Sequence, residues 1–341
     1  MPSLNNKQCP LVSVILLNYN GAKFASLWES FFKLDYPCYE IIFVDNGSHD
    51  NSNKFFIQLC KKYPLIPVKL VTITKNVGYS KANNIGLRYA NGKYVFLVSN
   101  DVEVDKNWIK SMITVFESDC TIGVAQSMMY SLIDKRKFDL MWNNLDVIGF
   151  NHLFVPSGGV DEVFYSEGAA MFIRIDAIKK AGGLFDEDYF MFFEDVDFCW
   201  RVRLNGYKIV VVPSSIAYHL RGGTVTGVVM KTDPFYMRRN TCNRLSTLFK
   251  NYNLFNVIKY LPLSVLFEIL TGLWLLSKRR CRLGLACLQG ILLFVLKIPN
   301  LIKKRVNVQR NRKISDESIL QIMLPLSKAL SDLIKYSKMV N

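Results

Sequence analysis

Leu11-Val12-Ser13-Val14-Ile15-Leu16-Leu17, closed by Asn18-Tyr19-Asn20-Gly21, reads as a strand buried on both faces that runs into a turn. The same pattern returns downstream. Glu40-Ile41-Ile42-Phe43-Val44 is stopped by Asp45-Asn46-Gly47-Ser48, and residues 94–98 are stopped by Ser99-Asn100-Asp101. Residues 68–73 form a further apolar run. Helix-length segments separate these runs at residues 23–33, 53–62 and 80–90, the last ended by Asn91-Gly92. Strands alternating with helices predict a mostly parallel sheet with helices on its faces. Ligands in such sheets sit beyond the carboxyl ends of the strands, so the polar clusters after the first, second and fourth strands should meet at one crevice. Beyond residue 100 the pattern is less regular. Strands are expected within 164–173, 208–212 and 217–220, and a helix over 195–204 ended by Asn205-Gly206.

The chain has 341 residues, half of them hydrophobic, with formal net charge +15. Its mean hydropathy of +0.14 is high for a soluble protein. Between residues 278 and 312 lie Lys278, Arg279, Arg280, Arg282, Lys297, Lys303, Lys304, Arg305, Arg310 and Arg312, without an acid, beside the most apolar part of the chain. That placement favours a membrane surface over nucleic acid, as does the lack of basic-aromatic interleaving. The eight cysteines show no C-x-x-C pair and no Cys/His cluster, so zinc is not expected and the thiols should be reduced. Residues 1–10 lack the apolar centre of a signal peptide, and the catalytic part is expected to stay in the compartment where it is made.

Carboxylates then stand out by position. Asp45 ends a strand, where it can accept from a nucleobase or a ribose hydroxyl, or simply cap the next helix. Asp101 at the crevice mouth can hold a divalent cation against a diphosphate, or can be a turn acid. Glu194-Asp195-Val196-Asp197 sits inside the aromatic run Phe190-Met191-Phe192-Phe193 and Phe198-Cys199-Trp200. Desolvation and mutual repulsion should raise at least one of these acids into the range of a general base. Asp195 and Asp197 point different ways at a helix start, so Asp195 is assigned to catalysis and Asp197 to anchoring the helix with Arg201. His219 ends a strand-like run and would suit Mn²⁺ beside an Asp, or be an ordinary core residue. His49 and His152 lack such a setting and read as surface or turn residues.

In this order the motifs resemble those of the inverting glycosyltransferase family 2, and more narrowly its rhamnosyltransferase-like branch. The matching stretches are residues 12–20, 42–50, 76–86 (Asn76-Val77-Gly78-Tyr79 onward), Gly168-Ala169-Ala170, residues 182–187, residues 194–197, Pro213 and His219. The resemblance spans about residues 10–245. It implies an α/β GT-A fold, with a Rossmann-like mostly parallel sheet over residues 1–245 and a helical, membrane-associated region over 246–341. It implies an enzyme that moves a sugar from a nucleotide-diphosphate donor to a hydroxyl of a glycan or lipid-linked acceptor. Asn18, Asn20, Asp45, Asn76 and Asn100 would bind the donor nucleotide. Asp101 and His219 would hold Mg²⁺ or Mn²⁺. Asp195 would deprotonate the acceptor, with Gly168, Ala169 and Glu194 on the acceptor side. Arg239, or its neighbour Arg238, could reach a donor phosphate, with a solvated basic face or a lipid contact as the preferred reading of so basic a chain. The family's acid-any-acid triplet reads Ser99-Asn100-Asp101 here, so its first acid is missing. That departure keeps open a catalytically weak membrane scaffold or sugar-nucleotide-binding protein as the alternative.

Two apolar runs, residues 261–276 and 283–296, fall short of the ~20 apolar residues of a spanning helix. A spanning hairpin would also send the basic loop 278–282 away from a cytoplasmic catalytic domain, against the preference of cationic loops. The expectation is a peripheral or monotopic seat on the cytoplasmic face of the membrane, with a tilted span or a buried helical subdomain as alternatives. Residues 315–338 carry a further helical period of mixed charge.

Overall fold

A computed structural model describes residues 9–139, 141–220 and 233–328. The strands are β1 (Val12–Asn18), β2 (Tyr39–Asn46), β3 (Val68–Ile73), β4 (Tyr94–Ser99), β5 (Val102–Val104), β6 (Ile122–Ser131), β7 (Asn144–Leu145), β8 (Asn151–His152), β9 (Asp161–Glu162), β10 (Ala170–Arg174) and β11 (Lys208–His219). The helices are α1 (Ser52–Lys62), α2 (Tyr79–Leu87), α3 (Trp108–Ser118), α4 (Ile175–Lys180), α5 (Glu194–Leu204), α6 (Pro234–Asn251), α7 (Leu254–Ser277), α8 (Cys281–Asn311) and α9 (Asp316–Leu320).

The main sheet runs β3-β2-β1-β4-β10-β6-β11-β5, with β9 on β11. β1 to β4 are mutually parallel in the order 3-2-1-4, so the chain reverses its direction of travel between β1 and β4. That switch point opens a crevice past Asn18 and Ser99. β10 is antiparallel to both β4 and β6, which puts its first residue, Ala170, opposite Val98 at the crevice end. β11 runs parallel to β6 and carries His219 to the same edge, opposite Val102 of β5. β1 and β2 are buried along their whole length, as their unbroken apolar runs require.

Several expectations are corrected. Residues 23–33 form two short 3-10 turns, Ala22–Phe24 and Trp28–Phe32. Tertiary contacts tighten them, because the Trp28 indole donates to Asn100 O (2.9 Å) and Val104 N donates to Ser30 Oγ (3.2 Å). Of residues 164–173 only Ala170 onward is strand, since the backbone before it turns toward the acids. The two runs at 208–212 and 217–220 are one strand, with its register shifted between Val212 and Ile216 around Pro213, which has no N–H for the ladder. Cys9 and Cys38 are joined in a disulfide, against the expectation of reduced thiols throughout. They precede β1 and β2, and parallel pairing of those strands brings their Cα atoms to 6.1 Å. His152 is buried rather than at the surface, with Nε2 2.8 Å from Asp146 Oδ2.

The C-terminal helices outlast the apolar runs that marked them, because polar and basic residues continue each helix. α7 and α8 are both long and apolar enough to cross a membrane by length and composition. The expected boundary at residue 245 falls inside α6, which packs against α5 on one side and α8 on the other. α7 and α8 cross closely at Gly272 and Gly284, where a Cβ on Gly284 would come within 2.7 Å of Gly272 O. Within 315–338 the described helix is Asp316–Leu320, and the part from 329 onward lies outside the described residues, as do Arg221, Gly222 and Gly223.

Candidate active site

At the β1–β4 end of the crevice, polar side chains knit the strand ends together. Asn18 Nδ2 donates to Asp45 Oδ1 (3.2 Å) and Ser48 Oγ (3.1 Å), and its Oδ1 accepts from Asn100 Nδ2 (2.9 Å). Asp45, buried, also accepts from Asn53 Nδ2 on α1 (2.7 Å). Capping of α1 falls instead to Asp50, which accepts from Ser52 N (3.0 Å) and Ala22 N (2.8 Å). Each Asp45 oxygen has one side-chain donor and a lone pair to spare, so the carboxylate can accept from a ligand as well.

Asn20 is exposed, left-handed at φ 48°, and shapes the turn: its N–H donates to Ser48 Oγ (2.9 Å) and its Oδ1 accepts from His49 N (2.9 Å). Asn76 is likewise engaged, accepting from Asn46 Nδ2 at the end of β2 (3.0 Å) and from Gly78 N in its own loop (2.9 Å). Both residues build the rim.

Asp101 and His219 come together as the sequence suggests. Nε2 of His219 is 3.6 Å from Asp101 Oδ1, and Nδ1 is 3.1 Å from Asp139 Oδ2. Burial alone would lower the imidazole pKa, but the two carboxylates outweigh it and raise the pKa to about 9. Asp139 belongs to a loop without a sequence signature and was not anticipated. Two ligands each about 2.1 Å from a shared ion stand roughly 3–4 Å apart, so the Asp101–His219 spacing fits joint ligation. The imidazole would then be neutral, with the ion supplying the charge its proton now brings. Among the described residues no group of three or more His, Cys, Asp or Glu forms a complete metal site, so the remaining ligands would come from the donor and water.

The acids of α5 adjoin this crevice through one loop. Ser99 N donates to Ala169 O (3.1 Å), and Gly168 N donates to Asp195 Oδ2 (3.3 Å). Tyr79 OH donates to Gly168 O (2.7 Å) while Tyr79 N donates to Phe190 O (2.7 Å), so the start of α2 grips both the loop and the acidic segment. Gly78 allows this approach: at φ 89°, a Cβ there would lie 2.5 Å from Phe190 O. Tyr79 was hidden inside a motif read only for its asparagines and glycines.

Burial is the first cause that raises Asp195, and the carboxylate of Glu167 adds to it; donors from Val196 N and Gly168 N oppose, leaving the pKa at about 7. Glu194 is more deeply buried, its Oε2 has no hydrogen-bond partner, and burial with the Asp195 charge pushes it well above the carboxylate range. Asp197 is fully buried, yet Lys250 and Arg201 hold it below its ordinary value against the burial penalty. It accepts from Arg201 Nε (3.0 Å) and Asn251 Nδ2 (3.0 Å), and Lys250 Nζ lies 2.9 Å away. Three acids in four positions thus have three environments. Glu167, next to Gly168, carries no local signal that sets it apart from its neighbour.

The segment that delivers them is strained. Phe192 (φ 70°) and Phe193 (φ 66°) are consecutive left-handed residues with side chains, a conformation costing about 1–2 kcal/mol each. Arg239 stands apart from the acids: its guanidinium lies over the rings of Phe190 (4.7 Å) and Phe235 (4.5 Å), and its buried Nε has no partner.

Comparisons with known proteins bear on this geometry. Residues 13–179 match the family model for glycosyl transferase family 2. The rhamnosyltransferase WbbL of Escherichia coli K12 is 25% identical over 228 residues, covering 61% of this chain and 83% of that protein. An uncharacterized protein, y4gI, of Sinorhizobium fredii is 26% identical over 226 residues, covering 62% of this chain and 24% of its own length. The chain thus spans only about a quarter of that relative. In structure, the mannosyltransferase PcManGT of Pyrobaculum calidifontis, in complex with GDP-Man and Mn²⁺, superposes with TM-score 0.53 at 15% identity, covering 84% of this chain and 87% of that one. Residues 13–179, just under half of the chain, are thus similar to glycosyl transferase family 2, and the fold is of the GT-A kind.

Proposed function

We propose that the chain is an inverting glycosyltransferase that moves a sugar from a nucleotide-diphosphate donor to a hydroxyl of a glycan or lipid-linked acceptor at the cytoplasmic face of a membrane. The observation that carries this reading is the convergence of Asp45, Asp101 with His219, and Asp195 on the switch-point crevice, each on the end of a different element. Asp45, supported by Asn18 and Asn100, faces the nucleoside. Asp101 and His219 would hold Mg²⁺ or Mn²⁺, which would neutralise charge on a departing diphosphate. Arg239, held against two aromatic rings with an unmet donor, is suited to a donor phosphate.

Asp195 takes the proton. With its pKa at about 7 it is substantially ionised at neutral pH yet basic enough to draw a proton from an acceptor hydroxyl. The neutral form favoured at Glu194 keeps a second negative charge from forming beside it. Gly168 and Ala169 wall the acceptor side. The hydroxyl so activated attacks the anomeric carbon from the face opposite the diphosphate, which inverts the configuration. The outward apolar faces of α7 and α8 support a membrane seat, which suits a lipid-linked acceptor.

The test is a panel of nucleotide sugars with Mn²⁺ or Mg²⁺, scored by release of nucleoside diphosphate, for the wild type and Asp101→Ala. Turnover that requires metal and is lost in Asp101→Ala is expected. Binding of nucleotide sugar without turnover of any donor would instead favour a sugar-nucleotide-binding scaffold, the outcome the missing acid at Ser99 makes worth scoring.

A further inference from the structure

The acids of α5 reach the crevice only because Phe192 and Phe193 both hold a left-handed backbone just before the helix begins. Two consecutive aromatic residues do not adopt this conformation unaided. One side chain spans the strained turn. Asn243, buried on α6, donates through Nδ2 to Met191 O (3.0 Å) and Phe192 O (2.9 Å). A single amide thus gathers two successive carbonyls and fixes the peptide planes that enter Phe193.

The helix bearing Asn243 is itself braced. Tyr189 OH and Thr247 Oγ1 lie 2.9 Å apart, and Lys250 Nζ meets Asp186 Oδ2 (2.6 Å) and Asp197 Oδ1 (2.9 Å). On its far side Thr241 Oγ1 donates to Glu268 Oε2 of α7 (2.9 Å), and Arg244 pairs with the same carboxylate. α6 therefore gives Asn243 a fixed platform against which the turn is held.

From this geometry we infer that Asn243 is a positioning residue: it clamps the left-handed Phe192–Phe193 turn and thereby sets the aim of the Asp195 carboxylate across the crevice. The inference rests on the reading of Asp195 as the base. Asn243 touches no reacting atom. Without its two donors the turn relaxes toward ordinary backbone angles, and the start of α5 rotates away from Gly168.

The experiment uses the full chain. Asn243→Asp is isosteric and replaces the donor with an oxygen facing two carbonyls. The expected result is a fall in kcat of about 100-fold, the cost of a misplacement near 1 Å, with donor KM nearly unchanged. Adding Phe192→Gly, which takes the left-handed conformation freely, should restore about tenfold of that loss. Should Asn243→Asp fail to fold, Asn243→Ser keeps a neutral donor of shorter reach and should show the same kcat-against-KM split. Transfer near the wild-type rate in Asn243→Asp, a KM that rises in step with the fall in kcat, or a loss that Phe192→Gly leaves unrepaired would each overturn the clamp. Asp195→Asn is assayed alongside. Full transfer by that variant sinks the base assignment itself, whereas full transfer by Asn243→Asp beside an inactive Asp195→Asn sinks only the clamp.

Discussion

α5 and α7 are opposites in sequence and opposites again in where their residues lie. α5, Glu194–Leu204, carries three acids and two arginines in eleven residues, and ten of the eleven are buried. α7, Leu254–Ser277, is mostly apolar, yet Phe255, Ile258 and Leu270 are 72%, 67% and 55% exposed. Its inward face holds Asn256, Ser264 and Glu268, each with a partner: Asp316 Oδ2 (2.7 Å), Ile148 O (2.9 Å), and Thr241 with Arg244. Hydropathy would place these helices the other way round. A charged helix can be buried when each ion finds a counter-ion or donor, and an apolar one can face outward when its surroundings are lipid.

The contrast breaks first at Asp195, which like its neighbour Glu194 has no counter-ion among the described residues. Asp195→Asn should lower kcat by about 10²–10⁴-fold while nucleoside-diphosphate binding, read by calorimetry, persists. In the wild type the rate should rise with pH through about 7, since the base works only when deprotonated. A profile flat from pH 5 to pH 8 would contradict the role.

Next comes Glu268, the acid that weakens α7 as an apolar span. If hydropathy governed the helix, Glu268→Leu would stabilise the protein. The structure predicts the reverse, a loss of about 3–5 kcal/mol in chemical unfolding, because Arg244 would remain buried without its partner.

Asp197 gives a pH signature of smaller size. Its folded pKa is depressed, so its ion pairs contribute fully above the unfolded carboxylate value of about 4 and are lost as pH falls through the folded value. The urea midpoint should therefore fall on acidification below about pH 4, with a shallower fall in Asp197→Asn.

The smallest effect on stability should come from the outer face of α7. Leu266→Glu, Leu270→Glu and Leu273→Glu should each shift unfolding by no more than about 0.5 kcal/mol, as exposed positions do. Combined, they should abolish co-sedimentation with anionic vesicles. Retained binding would move the membrane seat elsewhere.

Much of the crevice could be read from residues alone. Strand runs ending in Asn18, Asp45 and Asp101 told where the crevice lies, because a buried parallel strand must be continuously apolar and its ligand-facing end must turn. Asp195 stood out because an acid among aromatics must be desolvated. Asp139, Glu167, Tyr79 and Asn243 were not legible in the same way. Each gains its place from a distant partner, Tyr79 from Gly168 89 positions away, Asp139 from His219 at 80, Asn243 from Met191 at 52 and Glu167 from Gln126 at 41, and local pattern carries no trace of such pairings. The disulfide was missed for the same reason: the spacing of Cys9 and Cys38 means nothing until β1 and β2 pair.

What the sequence by itself determined is the alternation of strands and helices, the polar ends of the strands and the chemical types present there, since these follow from periodicity and turn chemistry. What only the tertiary structure decided is the state of each group. The three acids of α5 share one short segment, yet Asp197 is held below its ordinary value by Lys250 and Arg201, while burial raises both Glu194, left with an unmet oxygen, and Asp195. The physical reason is that a carboxylate's charge answers to the donors and ions within a few ångströms, and several of these, Lys250 and Asn251 of α6 and Glu167 and Gly168 of the preceding loop, come from outside α5.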